Sequence, residues 1–298
     1  MNKLIEKKIN EIKFDKDLGA SELAEKALVL LQFSIEQRKN LSSFELLNEI
    51  KTLCFRLRDL RPSMQVIKSR IDNVLANLEK LSNDDSISIK EIILNLISKN
   101  ILESRNAKDI IKQNASSLLK EHNTVLVHSY SSTLLNIFKG LACKKIFVTE
   151  SRPLCEGVKM ADKLSQYGHQ VTLITDMESG FFLPKCDAVW VGSDTFFLDG
   201  TLVNKMGTFI LAVLAKSNNI PFNVTSELDK LIYHPFSNGA IELEEKTAHE
   251  VYPVFTSFEI KNVYFDITPP NYISNFVTER GVFLSNELVY SQLQDSIK

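Results

Sequence analysis

The chain has 298 residues, a formal net charge of −2, and is 44% hydrophobic and 24% charged. That length suffices for two domains, or for one large domain with a helical extension. The near-neutral balance gives no electrostatic reason to expect nucleic acid or a membrane as partner. The cysteines (Cys54, Cys143, Cys155, Cys186) and histidines (His122, His128, His169, His234, His249) are scattered without metal-ligand spacing. Free thiols, no metal and a reducing compartment are therefore expected. The N-terminus is charged and shows no signal-peptide apolar region. No apolar run approaches the ~18 residues that span a bilayer. The expectation is a cytoplasmic protein.

Residues 1–122 carry little glycine or proline, and their apolar residues recur at helical spacing. Leu23, Ala27, Leu30, Leu31 and Ser34 lie on one helical face, and Phe44, Leu47, Ile50, Leu53, Cys54 and Leu57 on the next. Ile89, Ile92, Ile93, Leu96 and Ile97 mark a third face, continued through Ile101, Leu102, Ile110, Ile111, Leu118 and Leu119. Arg61-Pro62-Ser63-Met64 interrupts the pattern, because proline disfavours helix before it and starts one well. Ser82-Asn83-Asp84-Asp85-Ser86 is a polar break able to cap the following helix.

From Thr124 the rhythm changes. Short β-rich runs at 124–128, 145–149, 170–174, 187–191 and 221–224 alternate with helical stretches at 131–141, 156–167 and 209–216. Gly168 is placed to cap the second of these helices. The alternation is the signature of βαβ units and a parallel sheet. The predicted fold class is α/β: an N-terminal all-helical domain, 1–122, then a Rossmann-like parallel-sheet domain, 123–298. In the tail, Pro269-Pro270 predicts an extended loop that wraps back over the sheet rather than a central strand.

Parallel strands share a direction, so the polar groups after each strand fall on one sheet edge. They are His128-Ser129-Tyr130-Ser131-Ser132, then Thr149-Glu150-Ser151-Arg152, Asp176, Asp194, and finally Ser226 and Glu227 with Lys230 beyond. The stretch 187–208 concentrates the signal. Asp194 follows the fourth strand, Asp199-Gly200 marks a turn, and Asn204, Lys205 and Thr208 stand near a helix N-terminus, a place that attracts anions. This reads equally as a site for a small phosphorylated ligand or as a capped turn with a solvated lysine. Arg152 is a natural bidentate phosphate ligand, although taken alone it reads as an ion pair with Glu150 or Glu156. His128 is a proton carrier or, as is commoner, a hydrogen-bonded structural histidine. No GxGxxG follows a strand, and neither a P-loop nor a GxSxG elbow is present.

The runs TESRPLCEGVKMADKLSQYGHQVTLITD, CDAVWVGSDTFFLDGTLVNKMGTFILAVLAK, IPFNVTSE and ITPPNYISNFVTERG together resemble the initiation-factor-2B-like family. It holds the alpha, beta and delta subunits of an exchange factor. It also holds isomerases of methylthioribose 1-phosphate and ribose 1,5-bisphosphate. The resemblance is strong from about Thr124 to Gly281 and weaker before it. It implies a helical domain, a Rossmann-like domain and a homodimer formed through the latter, with no cofactor. It matches Asp194 to the isomerases' catalytic aspartate, Asn204 and Lys205 to sugar-phosphate contacts, and Arg152 and Arg61 to arginines facing the ligand.

One departure stands out. The isomerases follow the histidine matched by His128 with a cysteine, and here the residue is Ser129, a far weaker acid. The phosphate-gripping R-G-A element of the isomerases has Leu18-Gly19-Ala20 as its nearest counterpart. His128-Ser129-Tyr130-Ser131 is more similar to the stretch in the alpha exchange-factor subunit. The expectation is a binder of a sugar phosphate or nucleotide akin to that subunit, with a protein partner in prospect. The alternative is an aldose–ketose isomerase with Asp194, Ser129 and His128 as its acid–base groups.

Overall fold

The structure is a computed structural model describing residues 3–38, 41–80, 88–237, 239–254 and 257–284. The chain forms two compact units, 1–106 and 107–298. Their division falls inside one continuous helix, Ile89–Glu121. Helical periodicity continues unbroken where the neighbours of a helix change, so the pattern carries no mark of the division.

The first unit holds α1 (Lys3–Lys13), α2 (Ala20–Glu36), α3 (Ser43–Arg58), α4 (Gln65–Glu79) and the start of α5 (Ile89–Glu121). α2 packs against α1, α3 and α4, and its predicted face, Leu23, Ala27, Leu30, Leu31 and Ser34, is fully buried. A capping box starts α3: Ser42 Oγ accepts the Glu45 N–H, and the Glu45 carboxylate accepts the Ser42 N–H. α3 buries Leu46, Ile50, Leu53, Cys54 and Leu57, while Phe44, expected on that face, is exposed. Phe44 precedes Leu46 by two positions and so points about 200° away round the helix. The Arg61-Pro62 break separates α3 from α4 as expected. The polar break at 82–86 lies outside the described residues.

The second unit continues from α5 through β1 (Thr124–His128), α6 (Ser132–Phe138), β2 (Lys145–Thr149), α7 (Glu156–Gln166), β3 (Gln170–Ile174), α8 (Ser179–Phe182) and β4 (Ala188–Val191). There follow β5 (Thr195–Phe197), β6 (Leu202–Lys205), α9 (Thr208–Ser217), β7 (Phe222–Thr225), β8 (Leu231–Ile232), α10 (Ala248–Val251), β9 (Phe265–Thr268), β10 (Asn275–Thr278) and β11 (Gly281–Leu284). The main sheet has the order β3-β2-β1-β4-β7-β10-β11, parallel throughout except for the antiparallel edge strand β11. Leaving β11 aside, this is the doubly wound order with its switch point between β1 and β4.

Both faces of the sheet are covered, which is why its central strands are apolar runs without alternation. Leu126, Phe147, Val189, Val191, Phe222 and Val224 pack on one side with Leu211, Ala212 and Ala215 of α9. Val125, Val127, Ile146, Val148 and Trp190 pack on the other with Ile111, Ala115 and Leu119 of α5 and residues of α6 and α7. Gly168, with φ 89°, stands just past α7 in the predicted capping role.

Two parts of the topology differ from expectation. After the proline pair the described tail enters the sheet as strands: β10 lies beside β7 and β11 beside β10. The segment between β4 and α9 holds strands of a second, four-stranded sheet in the order β8-β5-β6-β9. Asp199-Gly200 is indeed a turn, closing the β5–β6 hairpin with the Gly200 N–H bonded to Phe197 O. All of these strands are two to four residues long, too short to show a periodicity.

Candidate functional site

The switch point places the end of β1 beside the end of β4, with His128 opposite Val191. His128 and Ser129 close the first strand, and Gly192, Ser193 and Asp194 follow the second. Gly192 is required by contact: a β-carbon there would stand 2.8 Å from Ser131 Oγ. Ser129 (φ 63°), Ser151 (φ 62°) and Cys155 (φ 58°) all adopt the left-handed region without being glycine. Such conformations persist only where the surroundings impose them, and they concentrate at functional sites. Here the Ser129 N–H donates to Ser151 Oγ at 2.9 Å, tying the two loops together.

His128 is buried, with Nδ1 2.6 Å from Thr149 Oγ1 and Nε2 3.0 Å from the Met206 carbonyl. A carbonyl only accepts, so Nε2 carries the proton and Nδ1 accepts from the threonine hydroxyl. Burial pushes the imidazole down to about 4 and keeps it neutral. Both ring nitrogens are thus committed within the protein, and His128 links β1, β2 and the turn after β6.

Asp176, after β3, accepts the N–H groups of Ser151 and Arg152 at 2.8 and 2.7 Å. These amides would otherwise be an anion cradle, and the protein fills it with its own carboxylate. The exposed Arg152 guanidinium pairs with neither Glu150 nor Glu156. It donates to the Val251 carbonyl at the end of α10 at 2.7 Å.

Lys205 and Asn204 end β6 and are almost fully buried. The Lys205 ammonium donates to Glu156 Oε1 at 2.8 Å and lies 4.4 Å from the centre of the Tyr264 ring. Glu156 Oε2 is buried without a hydrogen-bond partner among the described residues. Asn204 Nδ2 donates to Thr208 Oγ1, which donates to Lys205 O. Two of the amides at the N-terminus of α9 are already taken. Asp266 Oδ2 accepts the N–H groups of Gly207 and Phe209 at 2.8 and 3.1 Å, a carboxylate cap reaching in from β9.

Asp194 is half-buried, its N–H bonded to Val203 O. Beside it, the buried Lys230 ammonium donates to Ser193 O at 2.7 Å. Glu227 is buried and accepts from Thr133 Oγ1. Glu279 accepts the Leu228 N–H through both oxygens, and burial pushes its carboxyl up to about 6. The edge therefore gathers His128, Ser129, Arg152, Asp194, Asn204 and Lys205 at strand ends and in the loops of one unit. Arg61 belongs to the helical unit, where it is buried and donates to Asp15 O. Glu156, Lys230, Tyr264 and Asp266 complete the polar framework. Sequence reasoning noted only Lys230 at this edge, since the others arrive on helices and strands distant in the chain. No group of three metal-ligating side chains is assembled among the described residues.

The chain thus has a doubly wound domain with buried ammonium, amide and carboxylate groups at its switch point, the position where open α/β sheets in general bind ligands. The particular family follows from comparison: the model of the initiation factor 2 subunit family, IF-2B, matches residues 16–285, and the chain belongs to it. A putative translation initiation factor eIF-2B subunit 2-like protein of Pyrococcus abyssi is 29% identical over 280 residues, spanning 93% of this chain and 95% of the relative. A ribose 1,5-bisphosphate isomerase of Pyrococcus furiosus is 27% identical over 276 residues, spanning 89% and 85%. The crystal structure of the Pyrococcus horikoshii OT3 translation initiation factor eIF-2B superposes with a TM-score of 0.81 at 27% identity, covering 95% of this chain and 97% of that one. No helix among the described residues is long and apolar enough to cross a membrane.

Proposed function

We propose that this chain binds a small phosphorylated ligand, a sugar phosphate or a nucleotide, at the switch-point edge of its sheet unit. Arg152, Asn204 and Lys205 serve the phosphate and Asp194 faces the remainder. The observation that carries binding over turnover is the state of His128. Both of its nitrogens are engaged, and it is held neutral, so it is poorly placed to replace the thiol that the isomerases carry where Ser129 stands. The reading is a ligand-binding relative of the alpha exchange-factor subunit, acting as a homodimer through the sheet unit in the cytoplasm with a protein partner. Sedimentation equilibrium tests the dimer.

One observation favours the isomerase alternative. Asp194 is half-buried, and its N–H bonds to Val203 O, next in sequence to the buried Asn204–Lys205 pair, leaving it the partial access that an acid–base carboxylate needs. A phosphorus NMR time course with ribose 1,5-bisphosphate, methylthioribose 1-phosphate, ribose 1-phosphate and AMP separates the two. Broadening or shift without a product resonance is expected. Growth of a ketose-phosphate resonance that Asp194→Asn abolishes makes the protein an isomerase. No response to any of the four sinks both readings.

A further inference from the structure

The turn Lys205-Met206-Gly207 carries the ammonium and joins β6 to α9, spanned locally by the Thr208 hydroxyl, which donates to Lys205 O and accepts from Asn204. Gly207 has φ 106° and no side chain with which to cap the helix it starts. The turn is held from outside as well. The Met206 N–H donates to Tyr264 O, and Met206 O accepts from His128. Asp266 takes the amides on either side of Thr208. Asp266 lies directly across the antiparallel β6–β9 ladder from Asn204, so the two side chains share a face. Its second oxygen, Oδ1, is buried without a hydrogen-bond partner among the described residues. A buried carboxylate left half-satisfied costs stability, and it persists here against the residues read as phosphate contacts.

We propose that Asp266 is a positioning residue: its ionised carboxylate fixes the Asn204–Lys205 pair in its ligand-holding placement, and protonation of that carboxylate weakens ligand capture. This rests on the reading of the edge as a phosphorylated-ligand site. A protonated carboxyl loses the charge-assisted bonds to the two amides, which are roughly twice as strong as neutral ones. It also loses its attraction to the helix dipole. The titratable and charged groups around the turn are Lys205 on β6, Glu156 on α7, His128 on β1, Tyr264 before β9 and Glu250 on α10, the last accepting from the Tyr264 hydroxyl. Burial pushes the Asp266 carboxyl up to about 6, while His128 stays neutral at that pH.

Ribose 1,5-bisphosphate binding to the full chain and to Asp266→Asn would be measured calorimetrically from pH 5 to 7.5. Protonation of the ligand phosphate affects both proteins alike, so the ratio of their affinities isolates Asp266. The ratio is expected to be about tenfold at pH 7.5 and to fall within twofold at pH 5. In the wild type, saturating ligand is expected to lower the Asp266 carboxyl titration midpoint, followed by carbon NMR, by about one unit, as linkage requires of a tenfold preference. That second measurement needs no variant. A pH-independent ratio, or a midpoint that stays put or rises as bare charge repulsion by the ligand would make it do, overturns the proposal while the ligand site stands. Absence of binding to the wild type at every pH overturns the site reading and this inference together.

Discussion

Replacing Asp266 by asparagine should make the sheet unit's stability less sensitive to pH. In the folded state burial raises the carboxyl from 3.8 to about 6, against the opposing effect of the Phe209 and Gly207 amides. An acid whose folded value is raised binds its proton more tightly when folded. Stability is therefore lost as pH rises from the unfolded value, and the loss is complete above the folded one. About 2 units at 1.36 kcal/mol each give about 3 kcal/mol withheld at pH 7.5. At pH 4.5 the same linkage withholds about 1 kcal/mol. The buried amide nitrogen of the asparagine adds a penalty of about 1–3 kcal/mol, but that penalty does not vary with pH.

Relative to wild type, the variant should therefore gain about 2 kcal/mol between pH 4.5 and 7.5. His128 and Glu279 titrate in both proteins and cancel. Trp190, the single tryptophan, is fully buried in the sheet unit, so urea unfolding followed by its fluorescence reports that unit alone. A wild-type-to-variant difference that is flat across this range refutes the reasoning. Taken with weaker ligand binding, greater stability at neutral pH would identify Asp266 as a carboxylate retained at a cost to folding.

Lys205→Met strands Glu156 as a buried charge and should cost about 3–5 kcal/mol. The double variant Lys205→Met/Glu156→Gln should recover most of that in urea unfolding while still failing to bind ribose 1,5-bisphosphate. Equal stability of the two would mean the pair is solvated. Gly157→Ala would place a β-carbon 1.8 Å from the Thr149 carbonyl oxygen, so a loss on the order of 4 kcal/mol, or no soluble protein, is expected. A variant melting within a degree or two of wild type would contradict the packing of α7 on β2. The His128 ring resonances should stay fixed from pH 8 to 5.5, because its folded value is depressed by burial. Stability from this group is lost only as pH falls below about 6.5, and a ring titrating near 6.5 would contradict its two hydrogen bonds.

The sequence by itself determined the helical and strand segments long enough to repeat their period: the α2 face from Leu23 to Ser34, the runs 124–128 and 145–149, and the alternation that makes a parallel sheet. It also determined which polar residues share the sheet edge, because parallel strands leave no freedom in direction. Tertiary structure decided what those residues can do. His128 is neutral and committed because Thr149 and Met206 arrive from other elements. The Gly207 and Phe209 amides at the start of α9 and the Ser151–Arg152 amides are taken by Asp266 and Asp176, carboxylates 59 and 25 positions away in sequence from Gly207 and Ser151. Lys205 faces Glu156 across 49 positions. The short strands β5, β6, β8 and β10 each pair with a strand distant in the chain. Local pattern reports periodicity and direction, whereas hydrogen-bond partners and burial, which set charge and reactivity, are properties of contacts that only the folded chain makes.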